Sequence, residues 1–416
     1  MPDTSFYQLV DQYFDEFKRV YPRRYRGAFG CWRPIIDEVV GKFLRCGVVD
    51  YGFARVRCLE CKHEMFVSFS CKRRGFCPSC HQKRTLNLAN HLVKNVFAEV
   101  PHRQFVFTIP KRFRLYFRYN RDLLSDLARC AWQTIQDVYG FVLDETLMPG
   151  GVATIQTFGS LMLWNPHIHA IVTDGGFDDE GGFHLLSEIP TEPFLKVWEH
   201  HVFQMLIEKG RIKPKLVRNM QNWKYTGFSV HKEVKIKAGD EDGLKRLTHY
   251  IARCPVAEAK IHQESPEDEV LYDAEHPNPL PFQQWRALPQ ERTITRNFEV
   301  FDPLDFLAQV TQHIPDKGQH LTRYYGWYSN VARGKRAKTA GEQGSKTTHV
   351  RPATEAHKCW AMLIKQVYEV DPLECPECGE KMKIVSFIRD PRVIFRILDH
   401  LDMLEDPESD PPRGPP

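Results

Sequence analysis

The chain has 416 residues, too long for one ordinary core, so two or three domains are expected. At 42% hydrophobic and 26% charged it has the make-up of a globular protein, and a net charge of +4 does not by itself identify a nucleic-acid binder. Met1 to Phe17 carries acidic residues and lacks an apolar block behind basic ones, so no signal peptide is read there. No run of about 18 apolar residues exists to cross a membrane. A cytoplasmic setting follows as the expectation. There thiols stay reduced, so the 12 cysteines read as metal ligands or buried thiols rather than disulfides.

In chain order, Tyr7, Val10, Tyr13, Phe14 and Phe17 recur at helical spacing. A second helix is expected to start at Pro34 and stop by Gly47. Short strands punctuated by cysteines run to Cys80, followed by a basic helix over about 82–97. Gln104 to Pro110 is a buried-strand pattern closed by proline. A helical region then runs to about Val142. Residues 152–159 and 167–173 read as strands joined near Asn165-Pro166, and Asp174-Gly175-Gly176 is a turn signal. Residues 227–236 are strand-like, and a helix covers about 241–253 before Pro255. Strands and helices mix without regular alternation, which predicts an α+β fold. The boundaries predicted are 1–98 for N-terminal helices and a cysteine module, and 99–336 for the main domain with an insertion at about 264–295. A linker at 337–357, a helical C-terminal segment at 358–404 and a disordered tail at 405–416 complete the chain.

Cys58-Leu-Glu-Cys61 and Cys77-Pro-Ser-Cys80 are two C-x-x-C knuckles. Two such turns can present four thiolates to one Zn²⁺, so Cys58, Cys61, Cys77 and Cys80 are the expected ligands. Cys71 is a fifth thiol that could replace one of them. Cys375-Pro-Glu-Cys378-Gly is half of a further site; it is a lone turn, or it shares a metal with Cys359, another segment or another chain.

His167-Ile-His169 lies in a strand pattern, where alternate residues face one way, so both imidazoles can grip one metal. About one H-x-H arises by chance among 18 histidines, so the context carries the argument. Ile168 and Ala170-Ile-Val172 make this a core strand, and a candidate nucleophile helix follows. Leu244, Leu247 and Ile251 form that helix's apolar stripe, with Tyr250 at its edge. Lys111, Arg112 and Arg114 among aromatic rings, together with Arg253 and Arg333, suit single strands, where cations meet phosphates and rings stack on bases; a solvated helix face over an aromatic core stripe is the other reading of the cation run. The cluster Tyr324, Tyr325, Tyr328 reads as a DNA-contacting or a packing element.

The ordered set Phe107-Thr-Ile-Pro110, His167-Ile-His169 and Tyr250 resembles the three motifs of HUH endonucleases. Further phrases, Asn165-Pro-His-Ile-His-Ala-Ile-Val-Thr-Asp-Gly-Gly176, Tyr250-Ile-Ala-Arg253, Arg323-Tyr-Tyr-Gly-Trp-Tyr-Ser329 and Phe69-Ser-Cys-Lys-Arg-Arg-Gly-Phe-Cys-Pro-Ser-Cys80, are similar to rolling-circle insertion-sequence transposases with an N-terminal zinc-binding domain. The similarity covers nearly the whole chain. It implies a central antiparallel HUH-nuclease-like sheet flanked by helices, behind a small zinc module. It also implies Mg²⁺ or Mn²⁺ on His167, His169 and a third polar ligand, with Gln156 the first choice and His231 the second. Tyr250 would attack single-stranded DNA of element ends and target, forming a 5′-phosphotyrosine. Where two-tyrosine members carry their second tyrosine, Cys254 stands here, so the chain resembles the single-tyrosine branch, similar to transposases of insertion-sequence common regions. The expected setting is the nucleoid. Tyr325 is the rival nucleophile. A plasmid rolling-circle initiator or relaxase would use the same chemistry, and a non-catalytic zinc-dependent DNA-binding regulator is the alternative of another class. Oligomeric state, end and target sequences stay open.

Overall fold

The structure is a computed structural model that describes residues 2–143, 146–159, 161–263, 269–273, 280–281, 295–296, 298–339 and 373–401. Cys359, the 405–416 tail, and most of the 264–295 insertion and of the 337–357 linker lie outside these residues.

Helix α1 (Ser5–Arg24) opens the chain, its first turn capped by the Thr4 hydroxyl, which accepts from the Tyr7 amide. Helix α2 (Pro34–Phe43) follows, with proline in its first turn as expected. Strands β1 (Phe53–Cys58) and β2 (Glu64–Ser68) form a hairpin. Helix α3 (Pro78–Asn95) starts four residues before the expected position, because Cys77 and Pro78 serve as its entry. In the main domain come β3 (His102–Thr108), α4 (Leu123–Gly140), β4 (Gly150–Phe158), β5 (Trp164–Thr173), α5 (Thr191–Glu208), β6 (Ser229–His231), β7 (Lys235–Ile236) and α6 (Glu241–Ile251). Then follow α7 (Pro303–Thr311), β8 (Thr322–Gly326) and α8 (Asn330–Thr339). The C-terminal segment supplies β9 (Met382–Ile388) and α9 (Pro391–His400).

The central sheet is six-stranded and antiparallel, in the order β8-β4-β5-β3-β6, with β7 also paired to β3. Its strands alternate faces. Phe105, Phe107, Ile168, Ala170 and Val172 point into the main core, which α4 and α5 cover with Leu127, Ile135, Trp198 and Val202. On the opposite face Ile171 receives the apolar stripe of α6, with Leu244, Leu247 and Ile251 all buried. A second core joins α1, α2 and α7 around Phe6, Phe17, Phe43, Phe76 and Phe306.

Two features depart from the linear reading. Asn165-Pro166 lies inside β5 rather than before it, since β5 begins at Trp164. The C-terminal segment does not stand apart, because β9 pairs antiparallel with β1 and makes a three-stranded sheet with the β1–β2 hairpin.

Gly151, on β4, shows how tightly the sheet packs against α4. A Cβ there would strike the Trp132 ring, which stacks on Tyr325 with centroids 5.1 Å apart. Gly151→Ala should therefore displace Trp132 and destabilise the protein by ~1–3 kcal/mol in urea unfolding. An unchanged midpoint would contradict this packing.

Candidate active site and cysteine clusters

Antiparallel register builds the site. His169 sits opposite Thr154 on one side and Val106 on the other, while His167 sits opposite Gln156 and Thr108. Cross-strand partners share a face, so two adjacent polar rows cover one patch of sheet. Within it the Nε2 atoms of His167 and His169 converge to 3.1 Å. His167 Nδ1–H donates to the Asn165 carbonyl at 2.7 Å, which leaves the Nε2 lone pair directed into the patch. Gln104 Nε2–H donates to His169 Nδ1 at 3.1 Å; the same amide turned over would accept from Nδ1–H and free that ring's Nε2 for a metal. Burial lowers the His167 pKa to about 4. Burial, then the neighbouring His167 and Arg253, lowers that of His169 to about 2. Both rings are thus neutral, the form that ligates metal.

The patch fits a small divalent ion. Adjacent ligands of an octahedral ion with ~2.1 Å bonds lie ~3.0 Å apart, close to the observed Nε2 separation. Beside the pair, Gln156 Oε1 and Thr154 Oγ1 are buried and find no hydrogen-bond partner among the described residues. His231 occupies the His169 row but with Val106 between them, about 10 Å away at two strand spacings, and it is exposed. Of the two expected third ligands, only Gln156 is brought to the histidines.

Tyr250 stands over this patch. Its ring meets His169 edge-on at 5.5 Å, it is 49% exposed, and the Arg253 guanidinium lies 5.2 Å from its centroid. The end of α6 is held by two different units. Gln156 Nε2 donates to the carbonyls of Tyr250 (3.2 Å) and Ile251 (2.7 Å). From α3, His81 Nε2–H and the Thr85 hydroxyl donate to the Ala252 carbonyl at 2.7 and 2.9 Å. His81 can donate there because its Nδ1 accepts from the Gly75 amide. Carbonyls that a helix end leaves unpaired are thereby satisfied, and the Tyr250 backbone is fixed to the histidine sheet. The helix stops at Ile251, so Cys254 lies beyond it, and burial pushes its thiol up to about 12, keeping it protonated.

Of the two roles open to the tyrosine cluster near the end of the main domain, packing describes Tyr325 and Tyr328. Tyr328 is buried, with its hydroxyl bonded to His102 Nε2 and the Ala98 amide. Tyr325 pairs with Gly151 on the face away from the histidines and stacks on Trp132. Arg333 donates to the carbonyls of Tyr328 and Asn95, which ties α8 to α3. Tyr324 alone of the three lines a cavity of about 1360 Å³ between the cysteine module and β4. That cavity is also lined by Arg74, Lys83, Arg84 and Arg253, and by no aspartate or glutamate among the described residues. Lys111 and Arg112 are exposed beyond the end of β3, with Arg112 against Trp223, and Arg114 is half-buried near His167.

The cysteines require a correction. The two N-terminal knuckles do not share one site. Cys77 and Cys80 group with Cys46 and Cys71, whereas Cys58 and Cys61 group with Cys375 and Cys378. In the first set the Cys46 sulfur lies 3.9 Å from Cys77 and 3.7 Å from Cys80, and Cys71 lies 3.5 Å from Cys80. Tetrahedral zinc with ~2.3 Å bonds separates its sulfurs by ~3.8 Å, so this set fits Zn²⁺. The reason for the regrouping is geometric. Cys58 ends β1 and Cys61 lies in the hairpin turn, whereas Cys77 and Cys80 start α3 against the end of α2, where Cys46 waits. Cys46 was missed because a lone cysteine before glycine carries no spacing signal.

A family model described as "Transposase zinc-binding domain", of the IS91 type, matches residues 11–109, and one described as "Putative transposase" matches residues 150–336. The chain belongs to the IS91-type insertion-sequence transposases. It is 25% identical over 381 residues to the transposase for insertion sequence element IS801 of Pseudomonas savastanoi pv. phaseolicola, covering 86% of this chain and 87% of that one. It is 21% identical over 399 residues to the "Putative transposase y4qJ" of Sinorhizobium fredii, covering 90% and 95%. No solved structure matches. Among the described residues no helix is long and apolar enough to cross a membrane. As in any transposase, the partner is DNA.

His81→Ala removes the Ala252 donor and the Gly75 acceptor. It should cost ~1–3 kcal/mol in chemical denaturation while leaving zinc content unchanged. Full stability in this variant would contradict the role of α3 in holding the end of α6.

Proposed function

We propose that this transposase nicks and rejoins single-stranded DNA through a 5′-phosphotyrosine on Tyr250, beside a divalent ion held by His167, His169 and Gln156. The observation that carries this reading is the convergence of two neutral imidazoles to 3.1 Å directly beneath the exposed Tyr250 ring. The orphaned Gln156 and Thr154 oxygens support a cation at the same patch. A bound Mg²⁺ or Mn²⁺ would supply Lewis-acid polarisation of the scissile phosphate.

The chain's own groups supply the rest. The Tyr250 oxygen attacks phosphorus in line, the bond from phosphorus to the 3′-oxygen breaks, and that oxygen takes a proton to leave as a hydroxyl. Arg253, lying over the tyrosine ring, is placed to meet the phosphate charge. Its fixed backbone lets Tyr250 wait in attack geometry instead of searching for it. Reverse attack by a DNA 3′-hydroxyl on the phosphotyrosine restores a phosphodiester without ATP. The cation-rich cavity with Tyr324, Phe66 and Phe69 in its wall suits a single strand, since phosphates meet guanidinium groups and bases meet rings. The names of both relatives favour transposition over replication initiation or a purely regulatory role.

With labelled single-stranded element ends and Mn²⁺, Tyr250→Phe should form no protein–DNA adduct yet bind DNA within a few fold of wild type. Cys254→Ser should still form it, and His169→Ala should bind but not nick. Gln156→Leu should raise the half-saturating Mn²⁺ concentration by about tenfold or more, and His231→Ala by no more than about twofold. An adduct in Tyr250→Phe sinks the proposal; a large effect from His231→Ala reassigns the third ligand.

A further inference from the structure

We propose that Cys58, Cys61, Cys375 and Cys378 hold a second structural zinc ion, which clasps the end of the chain onto the N-terminal module and carries Phe387 and Arg389 to the DNA groove. The metal site stands on its own geometry; the groove half rests on the functional reading above.

The four sulfurs form a compact set. Cys58 lies 3.6 Å from Cys378, and Cys61 lies 3.5 Å from both Cys375 and Cys378. These distances approach the ~3.8 Å edge of a zinc tetrahedron and exceed the ~2.05 Å of a disulfide. The two contributing turns are built alike. The Cys58 amide donates to the His63 carbonyl at 2.8 Å, and the Cys375 amide donates to the Glu380 carbonyl at 2.8 Å, the same offset of five residues. In each turn the residue after the second cysteine is left-handed, Lys62 at φ 66° and Gly379 at φ 74°. Lys62 adopts this conformation without being glycine, a local strain that persists only where the surroundings enforce it.

The buried cluster around the sulfurs is Val56, Cys58, Cys375 and Met382, with Met65, Val67, Leu373 and Ile384 packed against it, and the cysteines brought together are 314 to 320 residues apart. A metal bond across that span adds to this small core. Once closed, β9 runs along β1 from Cys58↔Met382 to Phe53↔Ile388, and α9 packs Ile394 and Leu398 against Phe53. The strand then delivers Phe387 and Arg389 to the cavity wall, where the Arg389 guanidinium lies 5.3 Å from the Phe69 ring. In the first cluster Cys46, Cys77 and Cys80 are buried, but here Cys61 and Cys378 are exposed, so the second ion should leave first.

The test uses full-length protein purified without chelator. Metal analysis should give two zinc ions per chain in wild type and one in Cys378→Ser, with Cys378→His restoring the second. Pyridylazoresorcinol added to wild type should release zinc in two phases, and the fast phase should be absent from Cys378→Ser. One zinc in wild type, an unchanged count in Cys378→Ser, or these four cysteines unreactive as disulfides after denaturation would overturn the site. Arg389→Ala, with both ions in place, should weaken single-strand binding several fold and reduce its salt slope by about one. Unchanged binding in that variant, alongside the expected zinc counts, would overturn the groove assignment and leave the clasp standing.

Discussion

The carbonyls at the end of the Tyr250 helix are the constraint on which the site depends. A helix that stops in mid-protein leaves its last carbonyls without partners, and burying them unpaired costs free energy. Here Gln156 takes two of them, and His81 with Thr85 takes the third. Gln156 belongs to the strand opposite His167, and His81 directly follows a cysteine of the first cluster. One set of hydrogen bonds therefore joins metal module, histidine sheet and tyrosine helix. If any of the three shifts, the tyrosine loses its register with the histidines.

This arrangement gives Gln156 two ends with different duties. Its amide nitrogen holds the helix while its oxygen finds no hydrogen-bond partner among the described residues. The zinc module likewise does more than fold itself. Helix α3 starts at the first cysteine cluster and walls the cation-rich cavity with Lys83 and Arg84. A metal that fixes the start of α3 thus fixes both the tyrosine helix and one wall of the groove.

Much of this was legible in the linear chain, for identifiable reasons. The period-two pattern around His167 and His169 and the 3.6-residue stripe of Leu244, Leu247 and Ile251 each reflect local geometry, and both elements form as read. The α+β class followed from the mixture of such elements. What the chain concealed was long-range partnership. Cys58 and Cys61 look like natural partners of Cys77 and Cys80 because they are near in sequence, yet β1 and α3 carry them apart, and their companions come from more than 300 residues away. Tyr324, Tyr325 and Tyr328 looked alike as aromatic neighbours of cations. Alternation along β8 and the turn after it sent Tyr325 and Tyr328 into packing and left Tyr324 at the cavity.

The account turns on which atom of the protein receives the DNA. Wild-type protein incubated with a single-stranded element end, then digested to peptides and sequenced by mass spectrometry, reads that atom directly. The account predicts a nucleotide phosphate on the peptide containing Tyr250, with Tyr324, Tyr325, Tyr328 and Cys254 unmodified. A nucleotide on any of those four residues, with Tyr250 free, would contradict it.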